Sequence, residues 1–243
     1  MLKLIKPLDH IGVHKLKKAA EAEFEHLSRS AKTHSRRNFA EMRAQGIFIP
    51  EPLALYDDVA VTFDDGHTER FCSGLRYEYI ENTCLRDFIS AAKMNEFEIC
   101  HRICLTVGYM NREGFYHMDL AEKNLLFGKD GHVFVVDFTG AFIVENGTVN
   151  MRDSAKMFNG IANEKLIMCK STYTALDCEE MQARSVVAIL NDMLGKKAFS
   201  EGELLEIYGV TEKGSSPLER LKKHLLRRCS PSYKLTHSLR FFK

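Results

Sequence analysis

The feature that most constrains the fold is the stretch GFYHMDLAEKNLLFGKDGHVFVVDFTGA, from Gly114 to Ala141. Two apolar runs, NLLF and HVFVVDF, flank the turn sequence GKDG, and this pattern is typical of a β-hairpin. Asp119 and Asn124 come at or before the start of the first run, and Asp137 lies near the end of the second. Because a hairpin returns its two ends to the same side, the spacing predicts that Asn124 and Asp137 lie close together.

These three polar residues have the chemistry that phosphoryl transfer requires. The reaction needs a carboxylate near the acceptor hydroxyl and hard oxygen ligands for Mg²⁺. Asp119 is the candidate for accepting the hydroxyl proton, and Asn124 and Asp137 are the candidate metal ligands. The alternative is that they are ordinary turn residues and a strand-end cap. That alternative accounts for each residue alone, but not for all three at this spacing.

The rest of the chain predicts strands followed by helices. A short strand is predicted at Leu2–Lys6, one or two helices over 15–45, two strands around an Asp-Asp-Gly turn, and a long helix up to Gly114. Everything from about Met151 onward has helical periodicity. The predicted fold class is α+β, with a small mixed lobe over residues 1–80 and a larger helical lobe over residues 81–243.

Length and cysteine content indicate an ordinary globular protein. A chain of 243 residues is long enough for one large domain or two small lobes that share a cleft. The seven cysteines include no CxxC pair, which favours reduced thiols in a cytosolic protein. No apolar run approaches the length of a membrane span. We therefore expect a cytoplasmic protein.

The charge distribution adds an expectation about partners. Net charge is only +1, but residues 217–243 contain eight Lys or Arg and one acidic residue, so this end is suited to an anionic surface. We expect a peripheral contact with the anionic inner face of a membrane, although a helix packed on the protein with a solvated basic side is the alternative. Nucleic acid is not expected, because no reader motif is present. The residues assigned to the membrane contact are Leu218, Leu221, Leu225, Arg227, Arg228, Phe241 and Phe242.

Two motifs in the opening stretch resemble those of a known superfamily. HMDLAEKN (117–124) resembles the kinase catalytic loop H-x-D-L-x-x-x-N, and VVDFTG (135–140) resembles the strand and metal-binding D-F-G, with Thr139 inserted before Gly140. RYEYIENTCLRDFI resembles the hinge between kinase lobes. Over about residues 1–160 the chain resembles the lipopolysaccharide kinase family, which includes the InaA/toluene-tolerance proteins and the Kdo and heptose kinases.

The resemblance implies a protein-kinase-like bilobal fold with a reduced N-terminal lobe and a mainly helical C-terminal lobe. It also implies ATP and Mg²⁺ as cofactors and a hydroxyl of a sugar or glycolipid, such as the lipopolysaccharide core, as acceptor. His117 would have a structural role near the metal-binding segment. The roles it implies are Asp119 as catalytic base, Lys123 as a contact to the γ-phosphate or the acceptor, Asn124 and Asp137 as metal ligands, and Glu78, Tyr79 and Ile80 as nucleotide-binding hinge residues.

The small lobe matches the resemblance less well. A kinase needs a strand lysine paired with a helix glutamate, and the lysine candidates are Lys3 first and Lys6 second. Asn38 lies where that helix is expected to face the site, with Glu41 and Glu25 as alternatives. No Gly-rich phosphate loop is present in the sequence. Two alternatives therefore stay open: a small bacterial or RIO-like Ser/Thr protein kinase, and a kinase-like scaffold that binds ATP weakly or not at all.

Overall fold

The computed structural model describes residues 1–7, 12–30, 33, 35–92, 94–138, 142–143, 148–150, 172–209, 214–231 and 234. The strands are β1 (Leu2–Ile5), β2 (Pro52–Thr62), β3 (Thr68–Tyr77), β4 (Asn82–Thr83), β5 (Phe115–Tyr116), β6 (Leu125–Gly128), β7 (Val133–Val135), β8 (Phe142–Ile143), β9 (Thr148–Asn150) and β10 (Thr172–Thr174). The helices are α1 (Val13–Ser28), α2 (Phe39–Ala44), α3 (Leu85–Ala92), α4 (Glu96–Arg112), α5 (Ala175–Leu194), α6 (Glu201–Tyr208) and α7 (Pro217–Arg228). The α+β class predicted from the sequence is confirmed.

The N-terminal part of the chain forms a small antiparallel sheet with the strand order β1-β3-β2. The strands β2 and β3 form the predicted hairpin around the Asp-Asp-Gly turn, where Gly66 has a φ of 86°. The central strand β3 pairs with β1 on one side and β2 on the other, and α1 packs against β2 and β3. This arrangement places the short strand β1 next to the buried end of β3.

The region between Lys15 and Gly46 contains two helices. Arg37 lies in the connection between them, and its buried guanidinium donates hydrogen bonds of 3.1 and 3.0 Å to the carbonyl of His26 near the end of α1. Those bonds satisfy a carbonyl that the helix end leaves without an intrahelical partner. Gly46 follows α2 with a φ of 81°, the conformation that glycine adopts at low cost and that commonly ends a helix.

The hairpin predicted from NLLF, GKDG and HVFVVDF is present as β6 and β7. β6 also pairs with β4, so the two strands belong to a three-stranded sheet. The Val135 N–H donates a 3.0 Å hydrogen bond to the carbonyl of Phe48, in the segment that follows α2. This bond fixes the hairpin against the linker that leads to β2.

Helices make up most of the C-terminal part. α4 begins with a capping box between Asn95 and Glu98, and it packs against α5 and α7. Its Ile99, Ile103 and Val107 are fully buried at helical spacing. This buried face of α4 packs in the hydrophobic core of the protein.

The leucines of α7 do not face solvent. Leu218, Leu221 and Leu225 are buried, so these three side chains are not exposed for the membrane contact expected through them. Arg228 contacts Glu203 and the carbonyl of Ala198, and it lies over the ring of Phe199. The amphipathic pattern of this helix thus serves packing. Within the described residues, no helix has the length and apolar character that spanning a membrane requires. Thr139, Gly140, Phe241 and Phe242 lie outside the described residues.

Candidate active site

His117 anchors the loop that follows β5. Its ring donates from Nε2 to the carbonyl of Val136 at 2.9 Å, and Nδ1 accepts a 3.3 Å hydrogen bond from the Asp119 N–H. The ring also packs edge-on against Phe138, with centroids 4.7 Å apart. Complete burial lowers the pKa of His117, so the ring is neutral and keeps this single tautomer. This agrees with the structural role that the resemblance implied.

Asp119 and Asn124 are brought into direct contact. The Asn124 side-chain N–H₂ donates to the Asp119 carbonyl at 2.6 Å and to the Asp119 carboxylate at 3.1 Å. A 3₁₀ turn over Glu122–Asn124 turns the chain back so that these contacts form. Lys123 lies on the same turn, with its Nζ 3.0 Å from the Asp119 carboxylate. Asp119 is one-third exposed, so its carboxylate remains accessible to a hydroxyl group.

Asp137 follows β7 in an unusual backbone conformation. Its φ is 61°, in the left-handed region that few non-glycine residues occupy. The residue before it is held on both sides, since the Val136 N–H donates to the Asn124 carbonyl at 3.0 Å and its carbonyl accepts from His117. Phe138, on the other side, is buried and stacked on Phe115. The Asp137 side chain is nevertheless 45% exposed.

Lys3 connects Asp137 to the small sheet. Its Nζ lies 2.6 Å from Asp137 Oδ1 and 3.0 Å from both carboxylate oxygens of Glu23 on α1. Glu23 is buried, and its Oε1 also accepts a 2.9 Å hydrogen bond from the Tyr77 hydroxyl on β3. A strand lysine, a helix glutamate and the aspartate after the hairpin therefore form one connected ionic cluster.

The comparisons with known proteins agree with this geometry. A family model described as protein tyrosine and serine/threonine kinase matches residues 72–174. That range begins within β3 and includes the hinge, the catalytic loop and the hairpin. Over that range, which is less than half of the chain, the protein is similar to protein kinases. No curated protein matches the chain.

The ionic cluster extends the kinase likeness beyond the matched range. Lys3 and Glu23 both precede residue 72, and their ion pair resembles the contact between a strand lysine and a helix glutamate in kinases. The partner of the lysine is Glu23, and the prediction of Asn38, Glu41 or Glu25 from the sequence is wrong. The Asn38 side chain instead caps α2 by accepting from the Glu41 N–H. A signal for Glu23 was present, because it lies on the same helix face as Ala20 and Leu27, both of which are buried.

Lys6, the second lysine candidate, lies apart from the ionic cluster. Lys6 Nζ contacts the carboxylate of Glu69 on β3 at 3.1 Å, and its side chain is mostly exposed. Among the described contacts, those of Lys6 include neither Glu23 nor Asp137. The structure therefore distinguishes the two candidates and assigns the cluster to Lys3.

The hinge residues face a separate cleft. Glu78, Tyr79 and Ile80 line a cleft of about 440 Å³ together with residues of α2, of the segment after it and of the β6–β7 hairpin. Arg43 contacts the Glu78 carboxylate, which also accepts from the Glu51 N–H at 3.0 Å. None of the ionic-cluster or catalytic-loop residues lines this cleft. The Glu78 carboxylate is thus engaged by Arg43 and the Glu51 backbone.

The donor set at the end of the hairpin fits a magnesium ion. Both hydrogen bonds of the Asn124 amide nitrogen go to Asp119, which leaves the amide oxygen for another ligand. Asp137 supplies an exposed carboxylate, and Mg²⁺ is commonly held by one or two such groups together with phosphate oxygens. Within the described residues, no group of three or more His, Cys, Asp or Glu side chains is arranged to hold a metal ion. A metal held by Asn124 and Asp137 would therefore take its remaining ligands from phosphate and water.

Proposed function

We propose that this protein is an ATP- and Mg²⁺-dependent kinase that transfers a phosphoryl group to a hydroxyl. The observation that carries the proposal is the position of Lys3 Nζ, within 3.0 Å of Glu23 and 2.6 Å of Asp137. A lysine held between a buried helix glutamate and an exposed aspartate presents a positive charge beside a metal-binding carboxylate. Phosphate groups need both in phosphoryl transfer.

Each residue of the site has a distinct task in this proposal. Asp119 accepts the proton of the acceptor hydroxyl, and its contact with Asn124 holds the carboxylate in place. Asn124 and Asp137 hold Mg²⁺, which when bound neutralises charge on the transferring phosphate. Lys3 contacts the nucleotide phosphates. Lys123, at 3.0 Å from Asp119, lies where it can meet the γ-phosphate or the acceptor.

For the acceptor, we propose a hydroxyl of a sugar or a lipid-linked sugar, with the lipopolysaccharide core as the first substrate to test. The support is the resemblance of HMDLAEKN and VVDFTG to the lipopolysaccharide kinase family. A protein acceptor is the second candidate, because the matching family model describes tyrosine and serine/threonine kinases. A protein kinase of this kind would autophosphorylate on hydroxyl side chains, whereas a dedicated sugar kinase would not.

The first experiment measures thermal stabilisation of the purified protein by ATP, with and without Mg²⁺. A ligand that binds only the folded state stabilises it by about 2.7 kcal/mol at a concentration 100-fold above Kd. We expect a Mg²⁺-dependent rise in melting temperature that is lost in Asp137→Asn. Asp192→Asn, at an exposed position on α5, is the matched control and should behave like the wild type.

The second experiment separates chemistry from binding. We expect Asp119→Asn to lose transfer from γ-labelled ATP to the acceptor while its Mg-ATP affinity stays close to that of the wild type. The acceptors compared are lipopolysaccharide core sugars and the protein itself. If the wild type shows no Mg²⁺-dependent stabilisation at millimolar ATP, the proposed kinase activity is wrong and the scaffold alternative is favoured.

A further inference from the structure

The Tyr77 hydroxyl lies in the ionic cluster but has no role in the chemistry described above. Tyr77 is the last residue of β3, and its side chain is buried. Its hydroxyl donates a 2.9 Å hydrogen bond to Glu23 Oε1, the same oxygen that lies 3.0 Å from Lys3 Nζ. The contact joins residues 54 positions apart in the chain, and it connects the sheet directly to α1.

The Tyr77 hydroxyl keeps its proton, so it stays available as a donor to Glu23. Burial, followed by the charge of Glu23, raises the pKa of Tyr77 far above its usual range. The phenol therefore keeps its proton at neutral pH and remains a hydroxyl donor. Glu23 is buried and needs such donors, because a buried carboxylate without hydrogen-bond partners is costly.

The position of Tyr77 in the sheet also favours a role as an anchor. Lys3 lies on β1, a strand of four residues that forms one edge of this sheet in the described part of the chain. Tyr77 lies on β3, which is paired on both sides, and its own N–H donates to the Met1 carbonyl at 2.8 Å. Tyr77, on the central strand β3, thus holds the Glu23 carboxylate. The position of Lys3, on the edge strand β1, depends on that carboxylate.

We propose that Tyr77 is a positioning residue for phosphate binding, because its hydroxyl orients Glu23 and, through Glu23, Lys3. The inference rests on the proposed function, in which Lys3 contacts the nucleotide phosphates. Tyr77 itself touches no substrate in this account. Removing only its hydroxyl should leave the fold intact, but it should let the Glu23 carboxylate and the Lys3 amine move.

The test compares Tyr77→Phe with Tyr208→Phe, which removes a hydroxyl from a half-buried tyrosine on α6. Mg-ATP affinity is measured by titration calorimetry. We expect Tyr77→Phe to raise Kd roughly threefold to tenfold, less than the full loss of a hydrogen bond to a charged group, because Tyr77 acts on the nucleotide only through Glu23 and Lys3. Tyr208→Phe should leave Kd unchanged. If the wild type binds Mg-ATP and Tyr77→Phe binds it equally tightly, the proposal is overturned.

A second measurement needs no nucleotide. The purified variants are treated with a trace of acetic anhydride, and mass spectrometry gives the ratio of acetylation at Lys3 to that at Lys6, the exposed lysine on the same chain segment. An amine held in two ion pairs is a poor nucleophile, so Tyr77→Phe should raise this ratio severalfold. In a Glu23→Ala background, Tyr77→Phe should cause no further rise, because the hydroxyl then has no carboxylate to orient.

The two measurements separate the inference from the proposed function. If the wild type does not bind Mg-ATP, the proposed function fails, and the acetylation ratio alone decides whether Tyr77 holds Lys3. A ratio that is the same in Tyr77→Phe and the wild type overturns the positioning role. A rise of the same size in Tyr208→Phe also overturns it, because the effect would then be a general loosening of the fold.

Discussion

Gln182 on α5 links the helical core to the catalytic loop, and replacing it gives a stringent test of the site's support. Its Nε2 donates to the His117 carbonyl at 3.2 Å, and its Oε1 accepts from Asn111 Nδ2 on α4 at 2.7 Å. All three residues are buried. The Gln182→Leu variant has a side chain of similar volume, but the His117 carbonyl and the Asn111 amide both lose their hydrogen-bond partner.

The expected loss of stability follows from these two unpaired polar groups. Leaving one buried polar group without a partner costs about 1–3 kcal/mol, so with two such groups the free energy of unfolding should fall by roughly 2–6 kcal/mol. For a protein of this size each kcal/mol corresponds to roughly 2–4 °C in melting temperature. The matched control is Gln45→Leu at an exposed position, which should change stability by no more than about 0.5 kcal/mol.

A double-mutant cycle identifies the hydrogen bond itself. In Asn111→Leu, Gln182 Oε1 loses its donor, although the buried Asn111 Oδ1, which has no hydrogen-bond partner among the described residues, is also removed. In the double variant both ends of the Asn111–Gln182 bond are apolar, and only the His117 carbonyl stays unpaired. We therefore expect the double variant to be more stable than the sum of the single losses predicts, by about 1–3 kcal/mol.

The assay is urea unfolding followed by circular dichroism, with the midpoint and the slope fitted for each variant. Additive losses, within about 0.5 kcal/mol, would refute the Asn111–Gln182 bond. A loss below about 1 kcal/mol in Gln182→Leu would refute the argument that the His117 carbonyl depends on this residue. Mg-ATP affinity of Gln182→Leu, measured beside stability, then reports whether the loop keeps its geometry.

Three further predictions concern the fold around the site. Because burial lowers the pKa of His117, the unfolded state binds the proton first as pH falls below about 6.5. In urea denaturation, the free energy of unfolding should then fall by up to about 1.4 kcal/mol for each unit by which the pH is lowered, relative to His117→Gln. Gly128→Ala should destabilise the protein by about 1 kcal/mol in the same assay, because its new methyl group would displace the Asp130 carboxylate and crowd the His132 carbonyl and the Phe134 ring. At Asp137, with its φ of 61°, the glycine variant should be more stable than the alanine variant by about 1 kcal/mol, as thermal unfolding of the two would show.

The local part of the site could be predicted from the sequence. Asp119 and Asn124 are five residues apart, and a single 3₁₀ turn brings them together. The hairpin could be predicted because two apolar runs flank a turn sequence that contains Gly131, which adopts a φ of 83°. Both inferences depend on short-range geometry, which propensity and turn chemistry largely decide.

The long-range part of the site could not be predicted in the same way. Glu23 was missed because its role depends on contacts with Lys3 and Tyr77, which lie on two different strands. Gln182 was missed because a glutamine in a helical pattern gives no sign of whether it faces water or a buried loop. For α7, the spacing of leucines revealed an apolar face, but it did not reveal that the face is buried against protein.

The backbone at Asp137 is the strongest argument against its being an ordinary strand-end residue. A non-glycine residue in the left-handed region costs of order 1 kcal/mol or more, and such strain persists only when its surroundings enforce it. Here the surroundings do so: Val136 is hydrogen bonded to Asn124 and His117, and Phe138 is packed in the core. A strand-end cap needs no such restraint, because any extended conformation would serve.

What the strained conformation does provide is a half-exposed carboxylate directed at Lys3, 2.6 Å away. Since both flanking residues are fixed by the catalytic loop and its neighbours, the loop and the Asp137 carboxylate are held in one geometry. The proposed phosphoryl transfer depends on fixed positioning of this kind.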